Sequence, residues 1–141
     1  GWEDGLQPVF SLAQEMGRGI LLLVYMSHRG ASEGYGQLVQ DPKSGRPRPQ
    51  YLLFAEKALR WGADGVIVGA TQPQRIREVH SILGDKVPIY APGIGPQGGV
   101  AQSAIRAGAR FLIVGRAILH AERPGEEARR IRDLAGRLGF G

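Results

Sequence analysis

Four short segments of this 141-residue chain carry groups suited to chemistry, and each follows an apolar run. They are Ser27-His28-Arg29-Gly30, Gly69-Ala70-Thr71, the glycine-rich PGIGPQGG at residues 92–99, and Gly115-Arg116. In PGIGPQGG the glycines remove side chains, so backbone N–H groups can approach a ligand. The segment then runs into a helix-like stretch whose first amides are unpaired and partly positive. Gly115-Arg116 adds a further N–H and a guanidinium, a group that grips phosphate oxygens two at a time. Together the two segments describe an anion site. Its candidate residues are Pro92, Gly93, Ile94, Gly95, Pro96, Gln97, Gly98 and Gly99, with Gly115 and Arg116. Taken singly, each has another use: a glycine-rich loop also serves as a tight turn, and Arg116 could cap a helix or pair with Glu122.

The remaining polar groups narrow the chemistry. Ser27 has no base at a diagnostic spacing and no G-x-S-x-G elbow, so it is not expected to be a nucleophile, although its hydroxyl can recognise a polar ring edge. His28 could move a proton or simply hydrogen-bond a neighbouring loop. His28, His80 and His120 have no metal-ligand spacing and no paired acids sit at the other segments, so no metal is expected. There are no cysteines, which excludes disulfides and thiolate metal sites.

Composition sets further bounds. The net charge is +5, but the basic residues are scattered, and their densest run, ARRIRDLAGR, is broken by an apolar stripe. Nucleic acid is therefore not expected as a partner. No run approaches the roughly 20 apolar residues that span a bilayer, and GWEDGLQP lacks the basic flank and apolar core of a signal peptide. The expectation is a cytoplasmic protein with no membrane partner.

Parallel strands are the elements that would bring such loops together. ILLLVYM at 20–26, GVIVG at 65–69, VPIYA at 87–91 and RFLIVG at 110–115 are short continuous apolar runs, as expected of strands buried on both faces. Helical patterns separate them. Residues 3–16 form the first. Leu53, Phe54, Ala58, Leu59 and Trp61 mark a second that stops at Gly62. A third, capped by Thr71 with Pro73 in its first turn and Gln74 completing a capping box, carries Ile76, Val79, Ile82 and Leu83. Ala101, Ala104 and Ile105 mark a fourth, and Ala128, Ile131, Leu134, Ala135 and Leu138 a fifth. The resulting order, αβαβαβαβα, requires parallel strands with right-handed crossovers.

An internal echo refines this reading. WGADGVIVGA at 61–70 and AGARFLIVGR at 107–116 align without gaps, and repeated βα units build (β/α) barrels of the TIM type. The fold class is thus α/β, a single domain over residues 1–141 supplying about four βα units, half of a barrel. Residues 31–50, ASEGYGQLVQDPKSGRPRPQ, read as a long loop after the first strand, either a functional lid or a mobile surface insertion.

"MSH" ending the first strand, "PGIGPQGG" after the third and "IVGRAI" after the fourth together resemble the C-terminal half of the barrel of orotidine 5′-phosphate decarboxylases of archaeal type, strands 5 to 8. The resemblance runs from the first apolar strand to the final helix. It implies a homodimeric enzyme that converts orotidine monophosphate to uridine monophosphate and carbon dioxide with no cofactor. By it, Ser27 would hydrogen-bond the pyrimidine, Gln97 would bridge ring and phosphate, Gly115 and Arg116 would hold the phosphate, and residues 92–99 would surround it. The family's catalytic array, D-x-K-x-x-D with a further Lys before it, is absent. The one D-x-K here, Asp41-Pro42-Lys43, is followed by Ser44-Gly45-Arg46 in a Pro/Gly-rich segment and reads as a turn. The chain would then carry no catalytic residue and work with a complementary N-terminal half or a further copy of itself. A non-catalytic phosphate- or nucleotide-binding module and another phosphate-sugar barrel enzyme are the alternatives.

Overall fold

The four apolar runs pair into one parallel sheet in a computed structural model that describes residues 2–95 and 99–138. Its strands are β1 (Leu21–Tyr25), β4 (Gly65–Val68), β5 (Ile89–Pro92) and β6 (Phe111–Ile113), side by side in that order. The helices α1 (Trp2–Glu15), α3 (Gln50–Trp61), α4 (Pro73–Leu83), α5 (Gly99–Arg106) and α7 (Pro124–Arg137) precede, connect and follow the strands. The predicted alternation of helices and parallel strands therefore holds. Each strand falls within a residue or two of its apolar run, except that β6 stops at Ile113 and β5 starts at Ile89.

Register divides the sheet into two unlike faces. On one, Val24, Val66, Val68, Ile89 and Ala91 are at most 1% exposed. They pack with Ala55 and Ala58 of α3, Ile76 and Val79 of α4, and Ala101 and Ala104 of α5 in the hydrophobic core. Burying each Val or Ile there stabilises the fold by roughly 1.5–3 kcal/mol, so an Asp at Val66 would cost more than any surface change. On the other face Leu23, Ile67, Tyr90 and Phe111 are paired in register across all four strands. That face stays open: Leu21, Phe111 and Ile113 are 42%, 45% and 41% exposed. Tyr90 and Phe111 stack there with ring centroids 4.6 Å apart. The expectation of burial on both faces is thus corrected. The runs are continuous because the open face is apolar too, although its outer members stay exposed.

Helix ends follow the sequence with one exception. α3 stops where Gly62 takes φ 69°, and the Gly62 N–H returns to the carbonyls of Ala58 and Leu59. α1 docks through Phe10 on Trp61, ring centroids 5.6 Å apart, while the Lys57 ammonium lies 5.2 Å over the Trp61 ring. The exception is Thr71, expected as the N-cap of α4. Gln72 occupies that position without a side-chain cap, Pro73 begins the helix, and the Thr71 hydroxyl donates instead to the Ser27 carbonyl at 2.9 Å. A bond across two strand tips has replaced a local one.

Residues 31–50 fold into more than a loop. A short helix, α2 (Ala31–Gly34), leads into an antiparallel hairpin of β2 (Leu38–Gln40) and β3 (Pro47–Pro49). Asp41, 3% exposed, organises the turn: its carboxylate accepts from the Lys43 N–H (2.9 Å), the Ser44 hydroxyl (2.8 Å) and the Arg48 guanidinium (3.0 Å). These bonds, the Lys43 amide first, hold the Asp41 carboxyl down at about 2. Arg48 also reaches Glu56 of α3 at 2.5 Å, clamping the hairpin onto that helix. The D-x-K segment is therefore a turn, as expected.

Candidate functional site

β1 and β5 are separated by β4, yet their tips meet. The backbone explains how. Gly69 follows β4, and a Cβ placed on it would lie 2.5 Å from the Ser27 Cα, so only glycine lets the chain at Ser27 lean across the end of β4. The Gly69 N–H donates to Tyr25 (2.8 Å) and the Ala70 N–H to Pro92 (2.7 Å), which ties the three tips together. On the far side Gly93 takes φ 95°, and a Cβ there would lie 3.0 Å from the Ser27 Cβ and 3.3 Å from its Oγ. Ser27 is thus half-buried, with its hydroxyl beside the glycine-rich segment and its carbonyl held by Thr71.

The next tip completes a hollow. A cavity of about 740 Å³ lies between the ends of β5 and β6, lined by Pro92, Gly93, Ile94, Gly95, Ile113, Gly115 and Arg116, with Ala117, His120, Ala121 and Glu127 on its outer wall. Gly115 precedes a short helix, α6 (Arg116–Leu119), which packs on α7. The Arg116 side chain is exposed, and among the described residues it makes no hydrogen bond or ion pair, so the alternative pairing with Glu122 does not form. An unpaired guanidinium beside three glycines in a concave wall is suited to holding a phosphate.

Six of the predicted residues, Pro92, Gly93, Ile94, Gly95, Gly115 and Arg116, are gathered at one hollow, and Ser27 touches its edge at Gly93. Gly99 stands at the start of α5. Pro96, Gln97 and Gly98 lie outside the described residues. His28 is exposed, and its carbonyl accepts the Ala31 N–H at 3.1 Å. Sequence reasoning missed Gly69 as a spacer, Thr71 as the clamp on Ser27, and His120 on the cavity wall. The signal for His120 was its place one helical turn after Arg116. A second cavity, about 490 Å³, opens at the opposite end of β5 and β6 around His80, Asp85 and Arg110, away from these tips. Among the described residues no group of three or more His, Cys, Asp or Glu side chains could hold a metal ion, and no helix is long and apolar enough to cross a membrane.

Comparison with known proteins follows the same outline. Residues 3–131 match the model of the family described as Orotidine 5′-phosphate decarboxylase / HUMPS. An orotidine 5′-phosphate decarboxylase of Methanococcoides burtonii is 35% identical over 130 residues, which span 92% of this chain and 55% of that protein. The crystal structure of the Pyrococcus horikoshii decarboxylase superposes with a TM-score of 0.71 at 37% identity, covering 89% of this chain and 55% of that one. A Methanocaldococcus jannaschii orotidine 5′-monophosphate decarboxylase complexed with the inhibitor BMP gives a TM-score of 0.75 at 26% identity, over 94% and 56% of the two chains. The chain spans about half the length of the relatives it matches. Its four-stranded sheet is half of a TIM barrel, and the open face of that sheet is the barrel's interior wall.

Proposed function

This chain belongs to the Orotidine 5′-phosphate decarboxylase / HUMPS family, and from that premise we propose that it forms the pyrimidine- and phosphate-binding half of an orotidine 5′-monophosphate decarboxylase. One observation carries the reading: the unpaired Arg116 guanidinium stands over the glycine-lined hollow whose rim holds Ser27. Arg116 and the Gly115 amide take the phosphate, residues 92–99 surround it, and Gln97 bridges phosphate and ring. Ser27, held by Thr71, hydrogen-bonds the pyrimidine edge.

In the reaction the bond from ring C6 to the carboxylate breaks, carbon dioxide leaves, and the electron pair stays on C6 until a proton adds there to give uridine monophosphate. The strand-tip segments, 27–30, 69–71, 92–99 and 115–116, contain no Asp or Lys for that step. Asp41, the acid of the D-x-K segment, is committed to the hairpin turn. The Asp-Lys array therefore comes from a complementary half of the barrel, whose side chains fill the interior over Leu23, Ile67, Tyr90 and Phe111. This half contributes binding at the phosphate, remote from the reacting carbon, and such binding lowers the barrier when it is used to close loops and orient the ring. No cofactor takes part, and the setting is the cytoplasm.

Calorimetry with uridine monophosphate tests the reading, on the full chain alone and with a complementary half, alongside Arg116→Ala and Gln97→Ala. Binding that weakens in both variants, with release of carbon dioxide from orotidine monophosphate once the halves are combined, is the expected result. Failure to bind in either state would overturn it. Because the chain lacks a D-x-K-x-x-D segment, a non-catalytic nucleotide-binding module is the second reading, and bound but unconverted orotidine monophosphate in the combined barrel would favour it.

A further inference from the structure

We propose that His120 is a second side-chain ligand for the phosphate, working beside Arg116. This rests on the phosphate reading above and adds to it. The His120 N–H donates to the Arg116 carbonyl at 3.0 Å, the bond of a full helical turn, so the two side chains leave the same face of α6. That face forms a wall of the cavity between β5 and β6.

The electrostatics of the cavity single out these two groups. The parts of the wall supplied by β5, β6 and their tips, among them Pro92, Gly93, Gly95 and Ile113, carry no ionisable side chain. From α7 the cavity receives Glu127, whose carboxylate is already taken: Arg130 donates to it twice, at 2.8 and 2.6 Å, and holds its carboxyl below the ordinary range. Farther along, Arg123 is paired with Glu126 at 3.1 Å. Neither the Arg116 guanidinium nor the His120 imidazole has a hydrogen bond or ion pair among the described residues. An entering phosphate dianion thus meets a guanidinium and an imidazole, each with N–H donors to offer.

An imidazole N–H that donates to a phosphate oxygen makes a charge-assisted hydrogen bond, and the ring's own nuclei report the contact directly.

The test follows the His120 ring by NMR in the full chain, alone and with the complementary half, while uridine monophosphate, inorganic phosphate and ribose 5-phosphate are added. Saturation is expected to shift the His120 ring resonances. Uridine monophosphate affinity should fall about tenfold in His120→Ala, with the thermal midpoint unchanged. Equal ring shifts with all three additions would confirm that the contact is to phosphate. If uridine monophosphate binds in an Arg116-dependent way while the His120 ring does not move, the proposal is wrong and the phosphate site survives. If no phosphate compound binds at all, both fail together.

Discussion

Two sets of cations on this molecule are used in opposite ways. Arg48 and Arg75, beside the hairpin and at the tops of α3 and α4, are fully engaged. Arg48 joins Asp41 to Glu56, and Arg75 donates to the Tyr51 hydroxyl (2.9 Å) and to Glu78 (3.1 Å) while its guanidinium lies 5.1 Å over the Tyr51 ring. Tyr51, 1% exposed, also hydrogen-bonds Glu78 and packs edge-on against Tyr25. Burial and the Glu78 bond push its hydroxyl up to about 12, so it stays a donor. Burial alone would raise Glu78, but bonds from Tyr51, Gln74 and Arg75 outweigh it and bring the carboxyl down. Arg116 and His120 show the reverse, a guanidinium and an imidazole with no side-chain partner among the described residues. Here the charges that hold the fold are neutralised inside it, whereas the two groups proposed to meet a phosphate are left open.

The comparison can be broken from either side. Arg116→Ala should weaken uridine monophosphate binding about a hundredfold, the loss of two charge-assisted hydrogen bonds, while the thermal midpoint stays unchanged. A falling midpoint would move Arg116 into the structural set. Gly69→Ala forces a methyl onto the Ser27 backbone and should cost roughly 1–3 kcal/mol of stability, read by urea denaturation, with ring recognition lost more than phosphate affinity. Tyr51→Phe removes a bond within the paired set and should cost about 1 kcal/mol with nucleotide binding intact. The Tyr51 hydroxyl is raised, so the stability it lends is complete below its unfolded value and fades as pH rises through about 12. The smallest effect belongs to Asp41→Asn. Asp41 is lowered, so its contribution is complete above the unfolded value and is lost as pH falls through about 2. An acid titration of far-UV circular dichroism should lose that limb in the variant.

The sheet and its helices were legible because they bury apolar runs against helical stripes, as Val66, Ile89, Ile76 and Val79 do. The hairpin was not. Its strands are three residues each, and Pro47 and Pro49 argue against a strand unless the ribbon has only two members and needs few of their amides. What closes it is Asp41, whose partners lie two, three and seven residues away, and no periodicity announces such a cluster. Thr71 was misassigned for a related reason. A hydroxyl beside a helix start reads as a cap, and only the sheet brings it to Ser27. The segments that line the cavity between β5 and β6 were legible because glycine-rich and Gly-Arg sequences directly follow apolar runs, whereas the place of His120 on its wall needed the geometry of α6.

The order of strands has one more consequence. β1, β4, β5 and β6 stand side by side in the sequence in which they occur along the chain. Each strand leaving a ribosome therefore finds its neighbour already made, and the sheet can grow vectorially by one βα unit at a time instead of waiting for distant segments to meet. Only the β1-to-β4 step must carry an insertion, and that insertion folds on itself through short-range contacts.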